Sequence, residues 1–331
     1  MCNSISCRFP SVQQRIGNNL PGEHSFRSLY IRRVFPYNGG EVLCRLRQRY
    51  ERKMCLKLVT YRRNGAEGVG ILQDDRILAL PADSMLALIE SGSIPAPTGE
   101  ELNLADAELL APIPRPRQDV ICLGINYKAH ADEAAGYDSA FIKERPIPIY
   151  FSKRVAEAVA PGGAIQSHPG LVERLDYEAE LAVIIGKTAR NVPAEEAADY
   201  IFGYTVLNDV SARVLQTAHK QWYFGKSLDG FTPIGPCITT ADEIAFPPKL
   251  AIRARVNGEL RQDSTTDLLI TGIADIIAEL SSGMTLLPGT VIATGTPSGV
   301  GMGFDPPKFL KTGDVVECEI EGIGVLRNTV E

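Results

Sequence analysis

Three acidic residues at alternating positions, Asp176, Glu178 and Glu180, lead into the apolar run 181–185. Such a run is typical of a strand that is buried on both faces. Because side chains alternate sides along a strand, the three carboxylates should share one face. Buried carboxylates are costly without a positive partner. This face therefore needs either Lys or Arg side chains or a bound cation.

A further acid, Asp209, ends the apolar segment 204–208. Together with Glu178 and Glu180 it would form an oxygen-rich pocket. Oxygen ligands without His favour a hard cation such as Mg²⁺, Mn²⁺ or Ca²⁺ over Zn²⁺. Two alternatives stay open from the spacing alone. The glutamates could pair with Lys or Arg on a solvated strand face, and Asp209 could cap a helix that begins at Val210.

His130 and Glu133 are three positions apart in a predicted helix over 127–135, so their side chains point the same way. An imidazole oriented by a carboxylate can take a proton from water. The alternative is an ordinary ion pair on the solvent side of the helix.

Arg213 and Gln216 stand in the same relation on a predicted helix over 210–219, and Lys226 follows. A guanidinium and an ammonium beside an acidic metal pocket would suit an anionic substrate, although an exposed helix face could carry the same residues. Thr296 belongs to the turn "TGTP" after an apolar strand. Backbone amides at such a turn can hold a carboxylate.

A strand-rich framework must position these side chains. The predicted helices are 127–135, 194–199, 210–219 and 270–281. The predicted strands are 120–123, 149–151, 178–185, 202–207, 234–239, 250–256, 291–293, 315–320 and 325–329. The order shows no βαβ alternation, which predicts an α+β, mostly β fold with helices packed on the sheets.

Three segments are expected. Residues 54–113 form a small N-terminal domain, with a hairpin turn at Asp74-Asp75 and a short helix capped by Asp83. Residues 114–331 form the catalytic domain. Residues 1–53 are a basic extension, with ten Lys and Arg against three acids, which leaves −13 on the remainder of a chain of net charge −6. This extension is either a mitochondrial transit peptide or a stretch upstream of a true start at Met54.

Composition and charge exclude several classes of function. The acidic body argues against nucleic acid as a partner, and no apolar run reaches the roughly 18 residues of a membrane span. Seven cysteines are scattered without a C-x-x-C pair, which favours a reducing compartment, the cytoplasm or the mitochondrial matrix. Cys122, Cys237 and Cys318 read as buried structural thiols. The P-loop, nucleophile-elbow and dinucleotide-binding signatures are absent from the sequence.

The order of the motifs is more specific than any one of them. The series "GINYKAHADE", "LDYEAELAVIIGK", "GYTVLNDVSAR", "QWYFGKSLDGFTPIGP", "VNGELRQDSTTDLLI" and "LLPGTVIATGTPSGVG" strongly resembles the fumarylacetoacetate hydrolase superfamily. The resemblance covers roughly 120–331. The short N-terminal unit makes the chain most similar to the small members: acylpyruvate hydrolases, oxaloacetate tautomerases and homocatechuate-pathway isomerase/decarboxylases.

The resemblance implies a mixed β-roll, usually as a homodimer, and a role for each candidate residue. The implied metal ligands are Glu178, Glu180 and Asp209, with Asp176 beside them. The implied catalytic residues are His130 and Glu133, on a short lid helix, and Lys226. The implied substrate-binding residues are Arg213, Gln216 and Thr296, the last through the substrate carboxylate.

The implied substrates are short 2-oxo acids with a second carbonyl, activated by a divalent ion as Lewis acid. We expect C–C hydrolysis of an acylpyruvate-like acid, because water activation explains a His with a carboxylate partner. The alternatives are enol–keto tautomerisation of oxaloacetate or a hydroxymuconate-type diacid, and decarboxylation. The alternative from a different class is a non-catalytic protein that binds an oxo acid. The presence of every polar residue that the resemblance implies argues against this alternative.

Overall fold

The computed structural model describes residues 56–137 and 147–331. The predicted extension 1–53 lies outside these ranges, and so does the segment 138–146. The domain boundaries 1–53, 54–113 and 114–331 therefore stay predictions.

Most of the strands belong to one mixed sheet. Its strands are β1 (Lys57–Arg63), β2 (Ala66–Gln73), β3 (Arg76–Ala79), β4 (Glu101–Asn103), β5 (Glu108–Leu109), β6 (Val120–Gly124), β7 (Ile149–Lys153), β10 (Ala179–Ile185), β11 (Ile201–Asn208), β13 (Ile234–Thr240) and β16 (Val291–Ala293). They run in the order β4-β3-β2-β1-β13-β11-β10-β16-β6-β7, and β5 pairs with β1. The N-terminal strands thus extend the sheet that carries the candidate site.

Two smaller sheets complete the β structure. A five-stranded sheet has the order β15-β14-β17-β18-β8 and a two-stranded sheet joins β12 to β9. Their strands are β8 (Ala164–Ile165), β9 (Leu175–Asp176), β12 (Ser211–Ala212), β14 (Ala251–Val256), β15 (Glu259–Thr265), β17 (Val315–Ile320) and β18 (Gly324–Val330). The five-stranded sheet packs on β10 and β11, which places β10 at the centre of the core.

The helices are few and short. They are α1 (Met85–Glu90), α2 (Lys128–Tyr137), α3 (Arg213–Ala218), α4 (Tyr223–Lys226) and α5 (Ile273–Gly283). The α+β, mostly β prediction with a small N-terminal domain is confirmed. None of the helices in the described ranges has both the length and the apolar character needed to cross a bilayer.

The central strand, β10, contains the apolar run 181–185. Every residue of β10 is buried, between its neighbours β11 and β16. Leu181 and Val183 pack in the core shared with Ile252 of β14, whereas Ala182 and Ile184 face the core shared with Met85 of α1. A strand covered on both sides has no polar face, so its sequence shows no alternation.

Several local predictions are wrong. Ser84, and not Asp83, caps α1, because its side chain accepts a hydrogen bond from the Ala87 N–H. The helix expected at Val210 begins at Arg213, after the short strand β12. Asp209 therefore caps no helix. Strand β15 was missed because its sequence "ELRQDST" is mostly polar, as an edge strand allows. By contrast, the hairpin at Asp74-Asp75 and the buried state of Cys122, Cys237 and Cys318 are confirmed.

Candidate active site

Three carboxylates converge where β10 begins and β11 ends. Glu178 directly precedes β10, Glu180 lies within it, and Asp209 directly follows β11. One oxygen from each residue lies within 4.8 Å of the others, and all three side chains are buried. The predicted triad is therefore brought together by the antiparallel pairing of these two strands.

Main-chain N–H groups hold together the two segments that carry Glu178 and Asp209. The Glu178 N–H donates to Asn208 Oδ1 at 3.0 Å, and the Asp209 N–H donates to the Glu178 carbonyl at 2.8 Å. On the other side of β10, the Gly295 N–H donates to Glu180 Oε2 at 2.8 Å. The spacing of the acids is thus set by backbone contacts as well as by side-chain rotamers.

Asp176 does not lie on the same strand as Glu180, so the alternation expected along a single strand does not extend to it. It lies in β9, which pairs with β12, and the chain leaves strand geometry before β10 starts. The Asp176 carboxylate accepts hydrogen bonds from the N–H groups of Gly301 and Met302 and from Nε of Arg213. Its role is to fix that guanidinium.

Positive side chains contact two of the three acids. Lys226 Nζ lies 2.8 Å from Glu178 Oε2 and 2.7 Å from Asp209 Oδ2, and Arg213 Nη1 lies 2.6 Å from Glu178 Oε1. Lys153 Nζ donates to Asp209 Oδ1 at 2.6 Å and to the Val210 carbonyl. Lysine and arginine side chains, the first alternative considered from the sequence, thus pair with two of the acids. They leave Glu180 without an ion pair among the described residues, which keeps the second alternative, a bound cation, relevant.

The electrostatics of the two glutamates differ in direction. Burial opposes ionisation of Glu178, but the charges of Lys226 and Arg213 outweigh it and hold its pKa below the ordinary value. Burial and the negative charges of Asp209 and Glu178 raise the pKa of Glu180 well above its ordinary value. A further positive charge beside a carboxyl group with a raised pKa would stabilise its ionised form.

This donor set fits a hard divalent cation. It offers carboxylate oxygens only, from three buried residues, which is the chemistry that Mg²⁺, Mn²⁺ and Ca²⁺ select. Glu180 is the acid of the three that has no ion pair among the described residues, and its pKa is raised, so a bound cation would stabilise its charged form.

His130 and Glu133 form the predicted pair on α2. His130 Nδ1 lies 3.0 Å from Glu133 Oε2, and Glu133 Oε1 accepts the Gly299 N–H at 2.9 Å. Both side chains are largely buried, so the pair is not a solvent-facing one. Both carboxylate oxygens of Glu133 are thus engaged, and one of them orients the imidazole of His130. The ring nitrogen opposite Nδ1 is left to exchange a proton.

A cleft lies beside these groups. Its lining includes His130, Glu178, Arg213, Gln216, Trp222 and Lys226. The indole of Trp222 packs against Gly124 so closely that a Cβ there would lie 2.2 Å from it.

Thr296 also lines the cleft, but its hydroxyl is engaged within the protein. The hydroxyl donates to the Ala179 carbonyl at 2.8 Å and accepts from Gln262 Nε2 at 2.8 Å. Its single proton is therefore already used. A contact between Thr296 and a substrate carboxylate would need its main-chain N–H.

Sequence reasoning missed two buried polar residues at this site, Lys153 and Gln262. Lys153 is the last residue of β7, and its only signal was a lysine that closes the mostly apolar strand "IYFSK". Gln262 lies in the motif "VNGELRQDSTTDLLI", within the strand that was not predicted. Neither position could be recognised as buried without knowledge of which sheet covers it.

Comparison with known proteins agrees with this architecture. A family model described as fumarylacetoacetate (FAA) hydrolase C-terminal matches residues 119–331, and one described as Rv2993c-like, N-terminal, matches residues 56–112. The oxaloacetate tautomerase YisK of Bacillus subtilis is 46% identical over 228 residues, which are 69% of this chain and 74% of that protein.

Solved structures lead to the same group. The fumarylacetoacetate hydrolase of Exiguobacterium antarcticum has a TM-score of 0.74 and 40% identity over 83% of this chain and 99% of that one. The 2-hydroxyhepta-2,4-diene-1,7-dioate isomerase of Mycobacterium marinum has a TM-score of 0.69 and 33% identity over 83% and 98%. Since the family model spans well over half of its length, the chain belongs to the fumarylacetoacetate hydrolase family and is an enzyme of that superfamily.

Proposed function

We propose that this enzyme moves a proton on a short 2-oxo acid, interconverting its enol and keto forms with the help of a divalent ion. Oxaloacetate is the first substrate to test. Enol–keto exchange was the alternative in the sequence analysis, and it now takes precedence over C–C hydrolysis.

The observation that carries the proposal is the His130–Glu133 pair beside the acid triad. Burial opposes the charge of Lys226, but Asp209 and Glu178 outweigh it and raise its pKa, while the pKa of Glu178 is lowered. Lys226 therefore holds its proton and Glu178 is a weak base. His130 is left as the proton carrier among the described residues that line the cleft. Tautomerisation needs one such carrier, whereas C–C hydrolysis also needs a placed attacking water.

Glu178, Glu180 and Asp209 would hold the divalent ion. When bound there, Mg²⁺ or a similar ion supplies Lewis acidity that polarises a substrate carbonyl. The chain's own residues handle the proton: His130 carries it at the nitrogen opposite Nδ1, and Glu133 orients the ring.

Arg213, Gln216 and Lys226 would bind the acid groups of the substrate. Arg213 is already paired with Asp176 through Nε and Nη2 and with Glu178 through Nη1, so a substrate carboxylate would share this buried guanidinium with them.

The relatives support the same class of chemistry. Those named above include an oxaloacetate tautomerase and a diene-dioate isomerase. C–C hydrolysis of an acylpyruvate-like acid remains the second candidate. What favours it is a His–carboxylate pair able to activate water, together with the similarity to the Exiguobacterium hydrolase.

Two further proposals accompany the function. The protein is expected to be a homodimer, as the family resemblance implies. Its location in the cytoplasm or the mitochondrial matrix stays a prediction, and the mitochondrial alternative rests on residues 1–53, which lie outside the described ranges.

A substrate panel separates the candidates. Oxaloacetate, acetylpyruvate and a hydroxymuconate-type diacid are each incubated with enzyme and Mg²⁺, and enol absorbance is followed. Tautomerisation changes the enol fraction and leaves total substrate unchanged. Hydrolysis of acetylpyruvate releases pyruvate and acetate, and decarboxylation of oxaloacetate releases CO₂.

A further inference from the structure

Gln262 links the two sheets at the point where the acid triad is formed. It lies on β15 of the five-stranded sheet and is fully buried. Its Oε1 accepts the Ala179 N–H at 3.0 Å. Its Nε2 donates to Thr296 Oγ1 at 2.8 Å and to the Pro297 carbonyl at 2.7 Å. One side chain therefore reaches both β10 and the loop that follows β16.

These contacts close a ring around Ala179, the residue between Glu178 and Glu180. The Ala179 N–H is held by Gln262, and the Ala179 carbonyl is held by the Thr296 hydroxyl, which Gln262 itself orients. The same loop supplies the Gly295 N–H to Glu180 Oε2. Both main-chain polar groups of Ala179, the residue that separates the two glutamates, are thus fixed by the Gln262–Thr296 pair.

We propose that Gln262 is a positioning residue for the acid triad: it sets the spacing of Glu178 and Glu180 and thereby tunes their affinity for the divalent ion. The inference rests on the proposed role of these two glutamates as ligands. Gln262 touches neither the ligand oxygens nor the cleft, so it acts only through Ala179 and Thr296.

The chemistry of the side chain explains why an amide is required. Gln262 accepts one hydrogen bond and donates two at the same time. A glutamate keeps the shape but cannot donate when ionised, and a methionine keeps the length but can do neither. Residues that orient metal ligands in this way typically contribute about 10–100-fold in metal affinity.

The chain offers a matched control in the same sheet. Asn328 on β18 is buried, and its Nδ2 donates to the carbonyls of Ala160 and Gly163, each at 2.9 Å. The substitution Asn328→Asp thus removes two donated hydrogen bonds from a buried amide, as Gln262→Glu does, but away from the triad. Any general loss of stability is common to both variants.

The test is a titration of chelator-treated protein with Mg²⁺ and, separately, Mn²⁺ by calorimetry, without substrate. We expect Gln262→Glu to bind either ion about 10–100-fold more weakly than wild type, and Asn328→Asp to bind it normally. In activity assays, Gln262→Glu should need correspondingly more Mg²⁺ for half-maximal rate, with most of kcat recovered at saturation.

Unchanged affinity in a folded Gln262→Glu protein would overturn the inference. Equal weakening by Asn328→Asp would do the same, because the effect would then be one of stability alone. If Gln262→Glu does not fold, the same titration of Gln262→Met gives the answer. A wild-type protein that binds neither ion would contradict the proposed function itself, which keeps the two failures distinct.

Discussion

Gly303 lies directly against the carboxyl group of Glu133. A Cβ on Gly303 would lie 1.7 Å from Glu133 Oε1 and 2.1 Å from its carboxyl carbon. The same Oε1 accepts the Gly299 N–H. Helix α2 therefore packs on the glycine-rich segment 299–303 through Glu133, the residue that orients His130. The glycines of that segment leave space for the Glu133 side chain.

The substitution Gly303→Ala should displace Glu133 and impair the reaction without unfolding the protein. Gly303 is not among the glycines with left-handed φ, so alanine is compatible with its backbone and the flexible Glu133 side chain gives way. We expect kcat to fall towards the value for a Glu133 variant while Mg²⁺ affinity is kept. Steady-state kinetics and calorimetry measure both.

Gly136→Ala is the control for that substitution. Gly136 lies on α2 itself, and a Cβ there would meet no atom of the described residues within 4 Å. Alanine should stabilise the helix, by up to about 1 kcal/mol, and leave activity unchanged. Full activity in Gly303→Ala would show that the contact of α2 with this segment does not matter for catalysis.

Glu133→Gln should reduce the rate about 10²–10⁴-fold, the usual contribution of general acid–base catalysis. The amide cannot stabilise a protonated imidazole at 3.0 Å as the carboxylate does. Binding of Mg²⁺ should be normal, since Glu133 is not part of the triad. A variant with wild-type kcat would remove Glu133 from the mechanism.

The residues of the candidate site could be predicted from the sequence more completely than the fold that surrounds them. Strands β16 and β17 were predicted with their bounds, because apolar runs report burial locally. The position of Asp176 was not, because its strand β9 pairs with β12, whose residues come far later in the chain. Lys153 was missed for a similar reason, since its partners Asp209 and Val210 come 56 and 57 positions later in the chain.

Lys153→Met should destabilise the protein in a way that Mg²⁺ partly reverses. Removing one partner of a buried ion pair costs about 3–5 kcal/mol in general, and here Lys226 still offsets part of the Asp209 charge. We expect a lower Tm in chelator and a larger increase in Tm on adding Mg²⁺ than wild type shows. Lys308→Met, which removes an exposed partner of Glu259, is the control and should change Tm little. Equal Tm values for the two variants in chelator would refute the prediction.

Metal binding should release a proton. The pKa of Glu180 is raised by burial, Asp209 and Glu178, so in metal-free protein this group keeps its proton above the ordinary value of 4.5. A bound cation needs the carboxylate. Affinity should therefore fall as pH falls through the raised pKa, with release of up to one proton per ion. Calorimetry in two buffers of different ionisation enthalpy measures that proton. Binding without any proton release between pH 4.5 and neutrality would show that Glu180 is already ionised in the metal-free protein, and would contradict its raised pKa.

The most direct test of the account is the rate at which enol oxaloacetate converts to the keto form. Enol absorbance is followed with wild-type enzyme, with Glu180→Gln and with His130→Gln, each with Mg²⁺ and with excess chelator. The account predicts rapid exchange only for wild type with Mg²⁺, and unchanged total oxaloacetate at the end. Pyruvate release from acetylpyruvate by an enzyme that leaves the enol–keto rate of oxaloacetate unchanged would contradict it and establish the hydrolase alternative.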